Sequence, residues 1–168
     1  MVLRMKSLVV IALILGGLVS ASSAQWKPAP LERPATINPK LYPEGANATK
    51  EIQEARAAAL KQNKRVLLVF GANWCIDCHI LDRAFHQPRV APLLQGNYVV
   101  VHIDVGQYDK NLALAKRYHV DLGKGVPSVA VIDAKDTFLT SSTEFEKAHL
   151  LTEQDVIDFL DQWKPKRS

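Results

Sequence analysis

Both cysteines of this 168-residue chain lie in one short segment, VFGANWCIDCHIL, which covers residues 69–81. Two residues separate Cys75 from Cys78, a spacing that is typical of a redox-active dithiol. His79 follows directly, so the same residues also complete the Cys-x-x-Cys-His pattern to which c-type haem is attached. The segment therefore supports two hypotheses, disulfide exchange and haem-based electron transfer.

The dithiol hypothesis depends on where the two thiols lie in the fold. The apolar run 65–70 (RVLLVF) predicts a buried strand, and a helix is predicted from Trp74 to Pro88. Cys75 is then in the first turn of a helix, where unpaired N–H groups and the helix dipole stabilise a thiolate. Such a thiolate attacks a partner disulfide, and Cys78, one turn further on, resolves the mixed disulfide. In this chemistry the cysteines themselves carry the electrons, so no cofactor is expected.

Helices and strands alternate along the rest of the chain. Helices are predicted at 49–64, 74–88, 109–119 and from Thr152 onward, and strands at 65–70, 98–105, 126–132 and 137–140. The helical period gives apolar faces made of Ile52, Ala55, Ala59 and Leu60, of Leu112, Ala115 and Tyr118, and of Val156, Phe159, Leu160 and Trp163. Residues 152–155 resemble a capping box. The alternation predicts an α/β fold with a sheet between helices.

The first 24 residues have the pattern of a signal peptide. Arg4 and Lys6 precede the apolar run 8–19, and small residues at 22–24 suit signal peptidase. We predict that residues 1–24 are a signal peptide and that the protein is exported, to the periplasm or otherwise secreted. An uncleaved membrane anchor is the alternative, but the run is shorter than the roughly 20 residues that span a bilayer. Membrane contact is expected only through this segment.

Residues 25–47 carry five prolines and no apolar period, which predicts a Pro-rich lead-in that is extended or disordered. The folded domain is therefore predicted at 48–168. Loss of the signal peptide removes two positive charges and lowers the net charge from +4 to +2. Because the excess of positive charge is mild and no basic stripe is present, no nucleic-acid partner is predicted. One Cys-x-x-Cys with scattered histidines also supplies structural zinc poorly, so no metal site is predicted.

The haem hypothesis would make His79 the proximal ligand, and export fits it because c-type haem is attached outside the cytoplasm. Both methionines lie in the predicted signal peptide, so the distal ligand would have to be His86, His102, His119 or His149. A haem also needs a mostly helical pocket, whereas Cys75 follows a strand. This hypothesis is kept as an alternative, as is a non-catalytic docking module that would not need both thiols.

The order of strand, Trp74-Cys-x-x-Cys and helix, followed some fifty residues later by Gly125-Val126-Pro127, resembles the thioredoxin family. The resemblance covers residues 50–164, and VFGANWCIDC is most similar to exported thioredoxin-like domains, including the C-terminal domain of the transmembrane thiol:disulfide interchange reductase. It implies a thioredoxin-like fold with a central mixed sheet of four or five strands and helices on both faces. It also implies protein thiols or disulfides as substrates and a second redox partner that recharges the dithiol.

The resemblance implies a role for each residue of the site. Cys75 would be the exposed nucleophile and Cys78 the buried resolving thiol. Pro127 would be a cis-proline facing the dithiol, the backbone of Val126 would pair with an extended substrate segment, and Trp74 would flank the disulfide as part of the docking surface.

Two positions depart from the family pattern. Val69 stands where thioredoxins usually carry a buried acid, and Asn73 stands where the reductase domains often have one. Asp77, between the cysteines, disfavours a thiolate and so favours the reducing direction, whereas the helix N-terminus and His79 act in the opposite sense. For His79 itself, a position on the solvent side of the helix is the simplest expectation. We predict an exported thiol:disulfide oxidoreductase, with the reducing direction favoured by Asp77.

Overall fold

The computed structural model describes residues 28–166. The helices are α1 (Ala48–Gln62), α2 (Ile76–Phe85), α3 (Ala91–Asn97), α4 (Leu112–Arg117) and α5 (Glu153–Trp163). The strands are β1 (Arg65–Gly71), β2 (Tyr98–Asp104), β3 (Ser128–Ile132) and β4 (Phe138–Ser142). Two 3₁₀ segments, Leu122–Lys124 and Glu144–Leu150, connect these elements. The order is the alternation of helices and strands that the sequence predicts.

The strands form one mixed sheet in the order β2-β1-β3-β4. β1 is a central strand that pairs parallel to β2 and antiparallel to β3, and β4 pairs antiparallel to β3. The apolar composition of β1 fits this place, since a central strand covered by helices has no solvent face. The predicted thioredoxin-like mixed sheet is confirmed, with four strands.

Helices cover both faces of the sheet. Alternate residues of β1 point to opposite sides, so Leu68 belongs to the apolar cluster that includes α1, and Val69 to the cluster that includes α2 and α5. On the second side, α5 begins with a capping box in which Thr152 and Asp155 bond reciprocally. This local signal was readable from the sequence, and the box is confirmed.

Some details of the helices differ from the prediction. The helix predicted at 74–88 is α2, which ends at Phe85. A short helix, α3, which was not predicted, follows after Pro88. Leu60 and Leu112, assigned to apolar faces, are exposed at the ends of α1 and α4. Leu60 directly follows the fully buried Ala59 but lies about 100° around α1 from it, outside the stripe of Ile52, Ala55 and Ala59. Leu112 is the first residue of α4, one turn before the buried Ala115.

The lead-in 28–47 has no helix and consists of irregular chain with turns and bends, and a single β-bridge joins Pro30 to Thr152. Its proline content predicts a spacer, yet it packs against the domain. Leu41 and Tyr42 are buried in the cluster that contains α1. The chain before residue 48 is thus part of the core. The predicted signal peptide lies outside the described residues. Between residues 28 and 166, no helix combines the length and apolar character needed to cross a membrane.

Candidate active site

Cys75 and Cys78 form a disulfide, with their Cα atoms 5.3 Å apart. Cys75 is the N-cap of α2, and its Sγ accepts a hydrogen bond from the backbone N–H of Cys78 at 3.1 Å. Because the N–H groups of a first turn point at this sulfur, the position stabilises a thiolate when the disulfide is reduced. The helix predicted from Trp74 begins two residues later, at Ile76, so Cys75 caps the first turn instead of lying within it.

The disulfide is nearly closed to solvent. Cys75 is 5% exposed and Cys78 is 1% exposed. The resemblance implies an exposed Cys75, and this expectation is wrong because the residue is buried, with the loop before β3 packed against its sulfur. Cys75 remains the more accessible of the two, so a partner sulfur would reach it first.

The loop before β3 faces the disulfide. The Val126–Pro127 peptide bond is cis, as the resemblance implies, and the carbonyl oxygen of Val126 lies 3.3 Å from the Sγ of Cys75. A carbonyl oxygen accepts a hydrogen bond from a thiol but repels a thiolate, so this contact opposes the effect of the helix N-terminus. The substrate-docking roles of Val126 and Pro127 stay predictions.

An aromatic pair lies on the surface beside the dithiol. Trp74 is 49% exposed, and its Nε1 donates a hydrogen bond to the carbonyl oxygen of Gly106 at 2.8 Å. The ring of Tyr108, which is also exposed, lies 5.7 Å from the Trp74 ring between centroids. Sequence reasoning identified Trp74 but missed Tyr108, which comes from the loop after β2. A solvent-exposed aromatic surface next to a reactive disulfide is suited to contact a protein partner.

Asp77 does not stand free between the cysteines. Its Oδ1 accepts a hydrogen bond from the backbone N–H of His149 at 2.9 Å and lies 2.7 Å from the Nδ1 of the same residue. His149 belongs to the 3₁₀ segment Glu144–Leu150, 72 residues further along the chain. The contact fixes the carboxylate near the start of α2, and protonation of His149 would partly offset its charge.

The position predicted for His79 on the solvent side of the helix is wrong. The residue is buried, and its Nε2 donates a hydrogen bond to the carbonyl oxygen of Asn73 at 2.9 Å. That bond requires the proton on Nε2. His79 therefore ties the first turn of α2 to the loop that carries Trp74, and the pKa-tuning role predicted for it is untested.

The lead-in reaches the site through Tyr42. The side chain of Asn73 accepts a hydrogen bond from the backbone N–H of Tyr42 and donates one to its carbonyl oxygen, both at 2.9 Å. This two-way bond places the Tyr42 ring under the dithiol. The Tyr42 hydroxyl oxygen and the Sγ of Cys78 both lie within 2.7 Å of the point where a Cβ on Gly71 would stand. Nothing in the sequence pattern singled out Tyr42.

Comparison with known proteins agrees with this geometry. The family model described as thioredoxin-like matches residues 47–134, which include the dithiol and the cis-proline. The chain belongs to the thioredoxin-like family. This thioredoxin-like protein is 34% identical to a solved disulphide isomerase from Xylella fastidiosa, with a TM-score of 0.68 over 73% of this chain and 95% of that one.

Two further relatives of the thioredoxin-like protein are DsbD proteins. It is 31% identical over 134 residues to the thiol:disulfide interchange protein DsbD of Vibrio cholerae, a match that covers 77% of this chain and 21% of DsbD. The chain thus spans about a fifth of the length of that relative. The reduced C-terminal domain of Neisseria meningitidis DsbD is 25% identical, with a TM-score of 0.51 over 68% of this chain and 95% of that domain. The family and the dithiol together make the protein a thiol:disulfide oxidoreductase.

The haem alternative does not fit the thioredoxin-like site. The cysteines that would form thioethers are bonded to each other, and the Nε2 that would ligate iron already donates to a backbone carbonyl. Among residues 28–166, no group of three or more histidine, cysteine or acidic side chains is arranged to hold a metal ion.

Gly71 is expected to tolerate no side chain. In a Gly71→Ala variant, the new Cβ would stand 2.7 Å from the Sγ of Cys78 and closer still to the Tyr42 hydroxyl, at a strand position that cannot move freely. We expect the free energy of unfolding, measured by urea denaturation, to fall by about 1–3 kcal/mol, as for overpacked cores.

Gly96 in α3 provides the matched control, since a Cβ there meets nothing within 4 Å. Gly96→Ala is expected to leave stability unchanged or to raise it by up to about 1 kcal/mol, because alanine is the better helix former. Equal effects of the two substitutions would contradict the close approach at Gly71.

His102 is expected to make stability depend on pH. Burial lowers the pKa of His102 below 6.5, although the carboxylate of Asp82 partly opposes the shift. At a pH just below 6.5 the unfolded chain therefore binds more protons at this residue than the folded one, so the free energy of unfolding falls as the pH falls. Urea denaturation between about pH 8 and about pH 5 should show this slope, and a non-titrating His102→Gln variant should show a smaller one. A slope that is unchanged in the variant would assign the pH dependence to other groups.

Proposed function

We propose that the protein is an exported thiol:disulfide oxidoreductase that reduces disulfides of protein partners through Cys75 and Cys78. Cys75 attacks the partner disulfide, and Cys78 resolves the mixed disulfide that results. A second redox partner then reduces the Cys75–Cys78 disulfide again. The observation that carries the proposal is the disulfide at the N-terminus of α2, with its more accessible sulfur facing the Val126 carbonyl.

The surroundings of the site support a protein as the substrate. Cys75 is only 5% exposed, and the rings of Trp74 and Tyr108 are exposed on the neighbouring surface. An exposed aromatic pair, together with the backbone carbonyl of Val126 beside Cys75, suits a peptide segment that carries a cysteine. The disulphide isomerase and DsbD relatives carry names that fit exchange with proteins.

The reducing direction is supported by two contacts that disfavour a thiolate on Cys75. The carbonyl oxygen of Val126 lies 3.3 Å from its Sγ, and the carboxylate of Asp77 is held near the same helix turn by His149. Strong oxidants have a stabilised reduced form, so features that destabilise the thiolate make a dithiol more reducing. The N-cap position of Cys75 acts in the opposite sense, and the proposal is that the first two effects prevail.

Export is proposed from the N-terminal pattern of residues 1–24, which lies outside the described residues. Fractionation of cells that produce the full chain tests it: we expect the mature protein outside the cytoplasm and an otherwise identical chain without residues 1–24 inside it. Retention of both forms inside would contradict export.

The reduction potential tests the direction of electron flow. It is measured by equilibrating the purified protein with glutathione redox buffers and quantifying the free thiols of Cys75 and Cys78. We expect a value below about −200 mV, within the range of reducing thioredoxin-like proteins. A value near about −120 mV, typical of strong oxidants, would overturn the reducing assignment.

An Asp77→Asn variant is the matched control for this measurement. Its amide oxygen can still accept the bond from the N–H of His149, so the variant removes charge while keeping the local geometry. We expect the potential to become less negative. An unchanged potential would show that Asp77 does not favour the reducing direction.

A further inference from the structure

The hydroxyl of Tyr42 is a buried polar group for which the oxidised site provides no partner. The residue is fully buried, and no group in the described part of the chain hydrogen-bonds to its hydroxyl. Its backbone is fixed by the two bonds to Asn73, and its ring contacts that of His102 edge-on at 5.3 Å between centroids. A buried hydroxyl without a partner is destabilising, so its presence here calls for a physical account.

The Sγ of Cys78 is a candidate hydrogen-bond partner for this hydroxyl. Because the hydroxyl oxygen and the Sγ of Cys78 both lie within 2.7 Å of one point above Gly71, they are within twice that distance of each other. Gly71 has no side chain to separate them. A disulfide sulfur is a weak hydrogen-bond acceptor, but a thiolate at the same position is a strong one.

Toward a thiolate, the Tyr42 hydroxyl acts as a hydrogen-bond donor. Burial raises the pKa of its phenol far above 10, and the carboxylates of Asp82 and Asp104 raise it further. The hydroxyl therefore stays protonated at any pH at which the protein works. His102, the other titratable group against the ring, has a pKa lowered by burial and is neutral at neutral pH.

We propose that the Tyr42 hydroxyl donates a hydrogen bond to the Sγ of Cys78 when that sulfur becomes a thiolate, and thereby speeds the resolving step of disulfide exchange. The inference rests on the proposed function, since it concerns the same dithiol. It makes a residue of the Pro-rich lead-in part of the catalytic machinery.

The step takes place after Cys75 has attacked the partner and released its first thiol. Cys78 then loses its proton and attacks the Sγ of Cys75. The Cys75–Cys78 bond forms, the bond between Cys75 and the partner breaks, and the second partner sulfur leaves as a thiolate that takes up a proton. The two electrons that reduce the partner disulfide come from the two cysteines, which end as the disulfide.

The aromatic disulfide dithiobis(nitrobenzoate) separates the two steps. When one equivalent is mixed with the reduced protein, attack by Cys75 releases the first coloured thiolate and resolution by Cys78 releases the second. In a Tyr42→Phe variant, which removes only the hydroxyl, we expect the first phase to keep its rate and the second to slow by about tenfold, the effect of one hydrogen bond to a charged group. Equal second phases in the variant and the unaltered protein would overturn the proposal.

Tyr98→Phe is the matched control. Its hydroxyl is likewise buried but bonds the carbonyl oxygen of Leu160, away from the dithiol, so both phases should keep their rates. If the unaltered protein releases no coloured thiolate, the proposed function fails, which is distinct from failure of the Tyr42 inference.

A structure of the reduced protein tests the inference independently of how the Tyr42→Phe variant folds. The Tyr42 hydroxyl within hydrogen-bonding distance of the Cys78 sulfur would support it. A hydroxyl turned away toward another acceptor would contradict it.

Discussion

Replacing Cys75 by serine is expected to abolish disulfide exchange, with the rate falling by at least about a thousandfold, because a serine hydroxyl is not ionised at neutral pH and does not attack sulfur. Replacing Cys78 is expected to act differently. Cys75 keeps its place at the N-terminus of α2 in a Cys78→Ser variant and can still attack, but no thiol remains to resolve the mixed disulfide. The variant should therefore accumulate covalent complexes with its partners.

The asymmetry follows from burial. Cys78 is 1% exposed and lies behind Cys75, so a partner sulfur cannot reach it in the folded protein. In a Cys75→Ser variant the remaining thiol is therefore shielded, and mixed disulfides should not form at all.

Incubation of each reduced variant with insulin whose disulfides are intact, followed by electrophoresis without reductant, measures this difference. A band that joins insulin to the protein is expected for Cys78→Ser and not for Cys75→Ser, and reductant should remove it. The double variant is the control for association that is not covalent. Complexes formed equally by both single variants would contradict the assigned roles, since either cysteine would then be accessible.

The parts of the site that lie in one sequence segment were predictable. Cys75 and Cys78 share a helix start with Trp74, and the strand before them is a continuous apolar run, so spacing and period place them together. The capping box at Thr152 is equally local, because both its bonds stay within four residues. In each case the residues that interact are neighbours in the chain, and the pattern contains the whole interaction.

The parts that depend on distant residues were not predictable. Asp77 is held by His149 from 72 residues away, and Tyr108 meets Trp74 from the loop after β2. The sequence does not show that the loop before α2 folds back toward His79, so a solvent-side position was expected. In the structure, the carbonyl oxygen of Asn73 in that loop accepts a hydrogen bond from the Nε2–H of His79. Pairings of this kind depend on the tertiary arrangement, which neither period nor composition encodes.

Tyr42 is the clearest example. It lies between prolines, in a segment without hydrophobic period, and such a composition ordinarily indicates an exposed spacer. The side chain of Asn73 bonds both the backbone N–H and the carbonyl oxygen of Tyr42 and so fixes the residue at its buried position. A single large side chain fixed in this way can join an irregular segment to a core, and no sequence window would show it.

A Tyr42→Ala variant is therefore expected to lose about 3–5 kcal/mol of the free energy of unfolding, as when other large aromatic side chains are truncated in a core. The ring is 0% exposed and contacts His102 edge-on, so its removal leaves a cavity under the dithiol. Urea denaturation of the oxidised protein measures the change. For a domain of this size such a loss is a large part of the total stability.

Two variants separate the cavity from other effects. Tyr42→Phe keeps the ring and removes only a hydroxyl without a partner, so stability should be unchanged or slightly higher. Tyr108→Ala truncates an exposed tyrosine near the same site and should change stability by no more than about 1 kcal/mol. If Tyr42→Ala were as mild as Tyr108→Ala, the lead-in would be a spacer after all. If the expected loss is observed, the folding unit begins before residue 48, and a chain cut at the start of α1 should not fold stably.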